Sequence, residues 1–353
     1  MSRPGDFTKS TKETLAERAG YRCSFPGCDV VTVGPSEEGP DATNNTGMAC
    51  HIYAASQGGN APRSNHSMSE EELSSINNGI WMCYRHGKMI DDDVERYKAE
   101  TLRRWRDISE LKQKIRHELG EEVNFGPEHK IDLPFPNRSI SFEGLNNENE
   151  RIDCLMRESC VYEIWGEEVG YSVRDLIIET VRNTFTHGGA NEVIVETEDK
   201  SLRIISDSGK FGFEELEECE RSGGGSKALS VIRERFFSEV ILSHIYKDSK
   251  NEYKISLIWE KSDILESTKC REEVTRSKVH NRNILDFDLV NYCEKVYIIL
   301  PPYLTFSDLS ILGKCIDSTD LREQDMIFVC NNVSQEVYRS VKDRFIHSMT
   351  MRI

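Results

Sequence analysis

Four residues near the amino terminus have the types and spacing of a metal site. Cys23 and Cys28 frame the turn "CSFPGC", and Cys83 and His86 lie two residues apart in "CYRH". Thiolate and imidazole suit Zn²⁺, and each pair can supply two adjacent corners of a tetrahedron. The segment around them is rich in Gly, Asn and Ser and poor in apolar residues, so a metal staple would help it fold. The plain alternative is chance, with Cys23 and Cys83 packed as core residues.

Between the two pairs lies "ACHIYAASQGG", with His51 ahead of a small-residue turn. Asn78 precedes the strand-like run "GIWMC", and Asp91, Asp92 and Asp93 follow the second pair. Phosphodiester hydrolysis needs a base to activate water and a divalent cation to stabilise charge on the leaving oxygen. A histidine, an orienting amide and hard carboxylates are suitable parts for that chemistry.

A second set sits further along the chain. In "DLIIETVRNTFTHGGA", Glu179, Asn183 and His187 recur at every fourth position, on one helical face. Such a stripe is either a solvated face or a place where Asn183 holds a nucleotide's magnesium with Glu179 near the attacking water. "RIISDSGKFGF" puts Asp207 at a strand end, where a carboxylate can accept from the exocyclic amine of adenine. "RSGGGSKAL" puts Gly223, Gly224 and Gly225 with Lys227 ahead of a helix, and glycine amides at a helix start can cradle phosphate.

The elements that must position these residues fall into four segments. Residues 1–118 open with a helical pattern, Thr11–Ala19, and close with a longer one, Lys98–Leu119. Residues 119–140 hold three prolines and no periodicity, and read as a linker. Residues 141–285 alternate helix-like and strand-like segments. Residues 286–353 continue as Val296–Leu300, Ser307–Cys315, Met326–Cys330, Ser334–Asp343 and Phe345–Arg352, alternately strand and helix. Cys293, Cys315 and Cys330 fall in apolar stretches and read as core residues.

A chain of 353 residues is long for one domain. It has no apolar run of membrane-spanning length. The polar start, without an apolar h-region, reads as no secretory signal. Eleven cysteines without a regular framework fit a reducing cytoplasm. The net charge of −16 argues against a surface coated for nucleic acid. Residues 1–120 are nearly balanced, with 16 basic and 18 acidic residues, so DNA is expected there, near "ETLRRWRDISELKQKIR".

"ACHIYAASQGG…SINNGIWMCYRHGKMID" resembles the HNH (ββα-metal) endonuclease family over about residues 12–110. The resemblance implies that His51 is the general base and Asn78 positions it. It implies that Cys23, Cys28, Cys83 and His86 hold structural zinc, and that Asp91 ligates a catalytic Mg²⁺ or Mn²⁺. Two positions depart from that pattern: Cys50 and Gly87 stand where metal ligands are usual. Residues 150–260 resemble the GHKL ATPase superfamily through "NTFTHGGA" and "ISDSG". That likeness implies ATP with Mg²⁺ on Asn183, Glu179 as a candidate base, Asp207 reading adenine, and Gly209, Gly223, Gly224, Gly225 and Lys227 lining the nucleotide.

The expectation is thus an α+β multidomain protein. It would join an N-terminal zinc-stapled ββα-metal nuclease domain to a C-terminal α/β sandwich of the GHKL (Bergerat) type with a small α/β extension. The expected function is a nucleotide-gated DNA endonuclease resembling bacterial antiphage effectors, acting in the cytoplasm away from membranes. A homo-oligomer and a co-encoded defence protein are the expected partners. The alternative is an ATP-binding regulatory protein whose zinc domain only binds nucleic acid or protein.

Overall fold

Thr8 starts the first helix, α1 (Lys9–Arg18), by accepting a hydrogen bond from the Thr11 amide at its open amino end. Leu15 and Ala16 turn inward from α1 and join Phe7, Ala19 and Trp81 in a small core. Gly79 permits this approach, because a Cβ there would sit 2.4 Å from a Leu15 methyl. The computed structural model describes residues 4–56, 58–59, 61–120, 134–218, 224–281, 293, 295–317 and 326–353. Much of the expected linker, and Gly223, lie outside them. The chain is a mixed α+β protein made of two compact units, Met1–Arg174 with Ile194–Lys200, and Asp175–Val193 with Ser201–Ile353.

In the first unit, a short hairpin, β1 (Val33–Pro35) and β2 (Thr43–Asn45), precedes the functional elements. Strand β3 (Gly47–His51) then pairs antiparallel with β4 (Gly79–Cys83), with His51 opposite Gly79 and Gly47 opposite Cys83. The connection carries a helical turn, α2 (Glu70–Leu73), fixed by a capping box between Ser69 and Glu72. Helix α3 (Tyr84–Asp92) follows β4 with no intervening residue. The long α4 (Ala99–Leu119) buries Leu102, Trp105 and Ile108, which recur every third residue on one apolar stripe.

Next come β5 (Arg138–Phe142), α5 (Glu148–Glu158) and α6 (Val161–Trp165). They pack with α4: the Trp105 indole N–H donates to the Glu158 carbonyl at 2.7 Å. The Glu158 carboxylate is buried and pairs with Arg96 and Arg138. A buried carboxylate is tolerable only with such partners.

Helix α7 (Glu167–Thr186) enters the second unit at Asp175. The strands expected next are present as β6 (Val193–Glu198) and β7 (Ser201–Ser206). Two short helices follow, α8 (Phe213–Glu218) and α9 (Gly224–Arg235). The hairpin β8 (Val240–Lys247) and β9 (Lys250–Leu257) comes next, with β9 pairing antiparallel to both β7 and β8. β8 is an end strand of its sheet.

After α10 (Lys261–Ser267) the chain builds a four-stranded sheet. Its strands β10 (Arg271–Glu273), β11 (Val296–Ile299), β12 (Met326–Cys330) and β13 (Met349–Arg352) are parallel and lie in sequence order. The crossovers carry α11 (Arg276–Asn281), α12 (Phe306–Ile316) and α13 (Gln335–Arg344). Right-handed crossovers in one direction put the helices on one face. Side chains accordingly divide by period two. Val296, Ile298, Met326 and Phe328 pack with the helices, while Tyr297, Ile299, Ile327 and Val329 pack with Ile241 of β8 and Ile258 just after β9. The extension is thereby docked within the second unit.

Cys315 and Cys330 are core residues as expected. Cys293 is not simply one: it forms a disulfide with Cys270, with Cα atoms 5.6 Å apart. The cause is strand register. The Tyr297 amide donates to the Cys270 carbonyl, which draws the two approaches to β10 and β11 together. Among the described residues no helix is long and apolar enough to cross a membrane.

Candidate metal centre and nucleotide-facing helix

The two cysteine pairs converge because the first is tied to β4. Ser24 donates its amide to the Trp81 carbonyl at 3.0 Å, setting the Cys23 turn beside the end of that strand. Cys83 ends β4 and starts α3, and His86 sits one turn later on the same face. The ligand atoms of Cys23, Cys28, Cys83 and His86 all lie within 4.8 Å of one another. His86 Nδ1 is 3.3 Å from the sulfurs of both Cys23 and Cys83. Phe25 stacks on the His86 ring at 4.0 Å and fixes its plane.

Three thiols and an imidazole aimed at one point match tetrahedral Zn²⁺, whose sulfur ligands stand about 3.8 Å apart. Burial pushes the Cys23 and Cys28 thiols up, so without a cation they stay protonated. Burial also lowers His86, which favours the neutral imidazole that a metal binds. A divalent cation would reverse the thiol preference and ionise them. This is the one such convergent group of His, Cys, Asp and Glu among the described residues.

His51 ends β3 beside this frame. Its Nε2–H donates to the Gly5 carbonyl at 3.1 Å, so Nδ1 carries the lone pair. Phe7 lies flat on the ring at 3.7 Å. Burial is the main cause that lowers the His51 pKa below the ordinary value, and the imidazole is neutral near pH 7.

Asn78 is buried and does not touch the His51 ring. It clamps the loop behind it instead. Its amide nitrogen donates to the Tyr53 and Leu73 carbonyls at 2.8 and 2.9 Å, and its oxygen accepts from the Tyr53 amide at 2.9 Å. These bonds of Asn78 all go to backbone groups.

Arg63 was not among the sequence expectations. It donates to the Ile52 carbonyl at 2.7 Å and to Asp91 Oδ1 at 2.6 Å, and also reaches the Ile90 carbonyl. Its guanidinium thus joins the turn after His51 to the end of α3. No periodicity marks it, since it sits in an irregular loop. Asp91 is accordingly bonded to Arg63. A Cβ at Gly87 would lie 2.7 Å from the Met48 sulfur and 2.8 Å from the Cys50 sulfur. The two departures from the HNH pattern are thus packed against each other. Burial, with help from Asp91, raises the Cys50 thiol to about 12, so it is a neutral thiol. Two carboxylates, Asp6 and Asp91, act on the His51 ring, and Asp91 is already bonded to Arg63.

In the second unit, the glycine segment meets the polar stripe of α7. A Cβ on Gly224 would lie 2.8 Å from Glu179 Oε2, and one on Gly225 would lie 3.0 Å from Asn183 Nδ2. The amino end of α9 thus rests on Glu179 and Asn183. Asn183 is buried and its amide donates to the Glu179 carbonyl at 2.7 Å. Glu179 accepts from Arg182 at 3.1 Å. His187 and Lys227 are exposed.

Asp207 stands apart at the surface. Its Oδ1 accepts from the amides of Asn191 and Glu192, and its Oδ2 from the Asn191 side chain. These bonds, the Glu192 amide foremost, hold the carboxyl below its usual range. In this structure Asp207 caps a turn.

The turn after it is held by Asn251, which is fully buried. Asn251 donates to the Ser208 hydroxyl at 2.7 Å and the Gly209 carbonyl at 2.8 Å, and accepts from the Phe211 amide and His244. Alternation along β9 could have exposed it, because Asn251, Tyr253 and Ile255 share the inward parity. Searched against protein-family models the chain finds no match, and no curated protein resembles it significantly.

Proposed function

We propose that the chain is a nucleotide-gated DNA endonuclease, of the kind that serves bacterial antiphage defence. One observation carries the reading: His51, neutral and held through Nε2, ends a strand that is paired to a second strand running directly into a Cys/His-bearing helix. A neutral imidazole with a free-lone-pair Nδ1 is a competent base for water. Asn78 and Arg63 keep its loop in place from opposite sides. Zn²⁺ on Cys23, Cys28, Cys83 and His86 would hold the frame.

A Mg²⁺ or Mn²⁺ ion would stabilise charge on the leaving oxygen. Asp91 is the chain's own ligand for it, and the DNA phosphate would have to supply others. In the second unit, Gly224 and Gly225 against Glu179 and Asn183 support an ATP–Mg²⁺ site at the start of α9.

Plasmid cleavage tests the reading. Parent protein is incubated with Mg²⁺ or Mn²⁺, with and without ATP, beside His51→Ala and Asn183→Ala. Cleavage lost in His51→Ala and made ATP-insensitive by Asn183→Ala is the expected result. Equal cleavage by His51→Ala rejects it.

A second reading is favoured by the sulfur atoms of Met48 and Cys50 lying against Gly87. Under it the zinc domain binds nucleic acid or protein without cutting, and the second unit regulates that binding through ATP. It expects stoichiometric zinc, unchanged DNA binding in His51→Ala, and no cleavage with either cation.

A further inference from the structure

The second unit contains a cavity of about 1000 Å³ that none of Glu179, Asn183, Gly224 or Gly225 lines. It opens beside the edge strand β8, between the end of α9, the segment after α10 and the starts of β11, β12 and β13. Lys210, Arg233, Lys254, Lys269, Arg271 and Lys295 line it. Three carboxylates oppose them, from Glu215, Glu252 and Glu266. Two of these have bonds of their own: Glu252 accepts from Arg203 at 3.1 Å and Glu215 from the Gly212 amide at 2.7 Å. The local sign is therefore the reverse of the chain's net −16. Clustered cations repel, and a bound anion relieves that repulsion.

The wall is also covalently organised. The Cys270–Cys293 disulfide ties Lys269 and Arg271, on either side of Cys270, to the segment that carries Lys295. Three of the lining cations thus lie within two residues of the disulfide. Phe213, Leu242, Tyr297 and Met349 give the lining an apolar and aromatic part. The volume stands at the upper end of the roughly 300–1000 Å³ usual for small-ligand clefts.

We propose that this cavity binds a phosphate-bearing ring compound of nucleotide size, at a site separate from Asn183. The lysines and arginines hold the phosphates, and the apolar wall holds the ring. Because the protein supplies the positive charge, binding needs no divalent cation.

The test is titration calorimetry of the full chain with ADP in EDTA, beside ATP and pyrophosphate. ADP binds the parent and Asn183→Ala alike, and rising salt weakens it. The double variant Lys254→Glu with Lys269→Glu loses at least about tenfold in affinity, and Lys254→Gln with Lys269→Gln loses less. Unchanged thermal unfolding of both double variants shows that the loss is local. Absence of binding by all three probes overturns the proposal. So does ADP binding that Asn183→Ala abolishes and the charge reversal spares. Pyrophosphate binding as tightly as ADP overturns the ring-holding part.

Discussion

Asn78 and Asn183 are both buried amides, one in each unit, and they are employed differently. Asn78 spends its side chain on three backbone groups of Tyr53 and Leu73, and so welds a loop 25 residues away. Asn183 bonds back to Glu179 of its own helix. The first unit fixes its chemistry-bearing residue by bonds across the fold and by a metal set. The second brings its polar stripe into place by close approach of glycine backbone. A site built by bonding breaks when partners are removed, and a site built by close approach breaks when volume is added.

The largest effect is expected from the metal set. Cys83→Ser should abolish stoichiometric zinc, read by elemental analysis, and cost on the order of 10 kcal/mol of folding free energy in the first unit. Retained zinc with unchanged unfolding would show that the cysteines are ordinary core. Next comes Asn78→Ala, which strands three backbone groups, one of them buried and two part-buried, and should cost about 3 kcal/mol in denaturant unfolding. Asn183→Ala removes the bond to the Glu179 carbonyl and should cost about 1 kcal/mol, while weakening ATP binding. Equal costs for the two variants would erase the contrast between them.

Adding volume at the start of α9 should hurt the site in the second unit. Gly225→Val drives side-chain atoms into Leu216 and the Asn183 amide, an overpacking cost of about 1–3 kcal/mol. ATP affinity should fall with it, measured by calorimetry with Mg²⁺ present. The smallest effect is on protonation. Burial holds the His51 ring neutral below the usual histidine range, so its charged form appears only as pH falls further. Protonation then opposes the fold, so the stability His51 contributes is present at neutral pH and lost on acidification. Phe7→Ala uncovers the ring and should move the titration upward, read by the His51 NMR shift.

Much of the scaffold was legible in the chain. The last segments are the clearest case: expected at Val296–Leu300, Ser307–Cys315, Met326–Cys330 and Ser334–Asp343, they occur at Val296–Ile299, Phe306–Ile316, Met326–Cys330 and Gln335–Arg344. Hydrophobic period and Ser or Thr caps carry that information locally. The final strand starts at Met349, later than expected, because Phe345 closes α13 by donating its amide to Val341. The convergence of Cys23, Cys28, Cys83 and His86 was legible from spacing. Arg63 and the Cys270–Cys293 pairing were not legible, since each depends on which distant backbone is brought near, and Asn251 was marked only by its parity along β9. Asp207 has partners that its motif does not announce. Its motif reads as a ligand contact, and its oxygens are taken by the neighbouring turn.

The contacts around Trp105 bear on how this protein can be divided. Its indole, 1% exposed, leans on α5, while Gly27 in the zinc turn donates to the buried Glu163 of α6 and Arg96 pairs with Glu158. A fragment ended at Leu119 would strip a large aromatic of its cover, leave an arginine without its counter-charge and bare the amide of the metal turn. Such a fragment should stick to itself. The part that carries the Cys/His cluster is therefore no transferable cassette, and any inheritance or grafting of it must carry the helices up to Trp165 as part of the same piece.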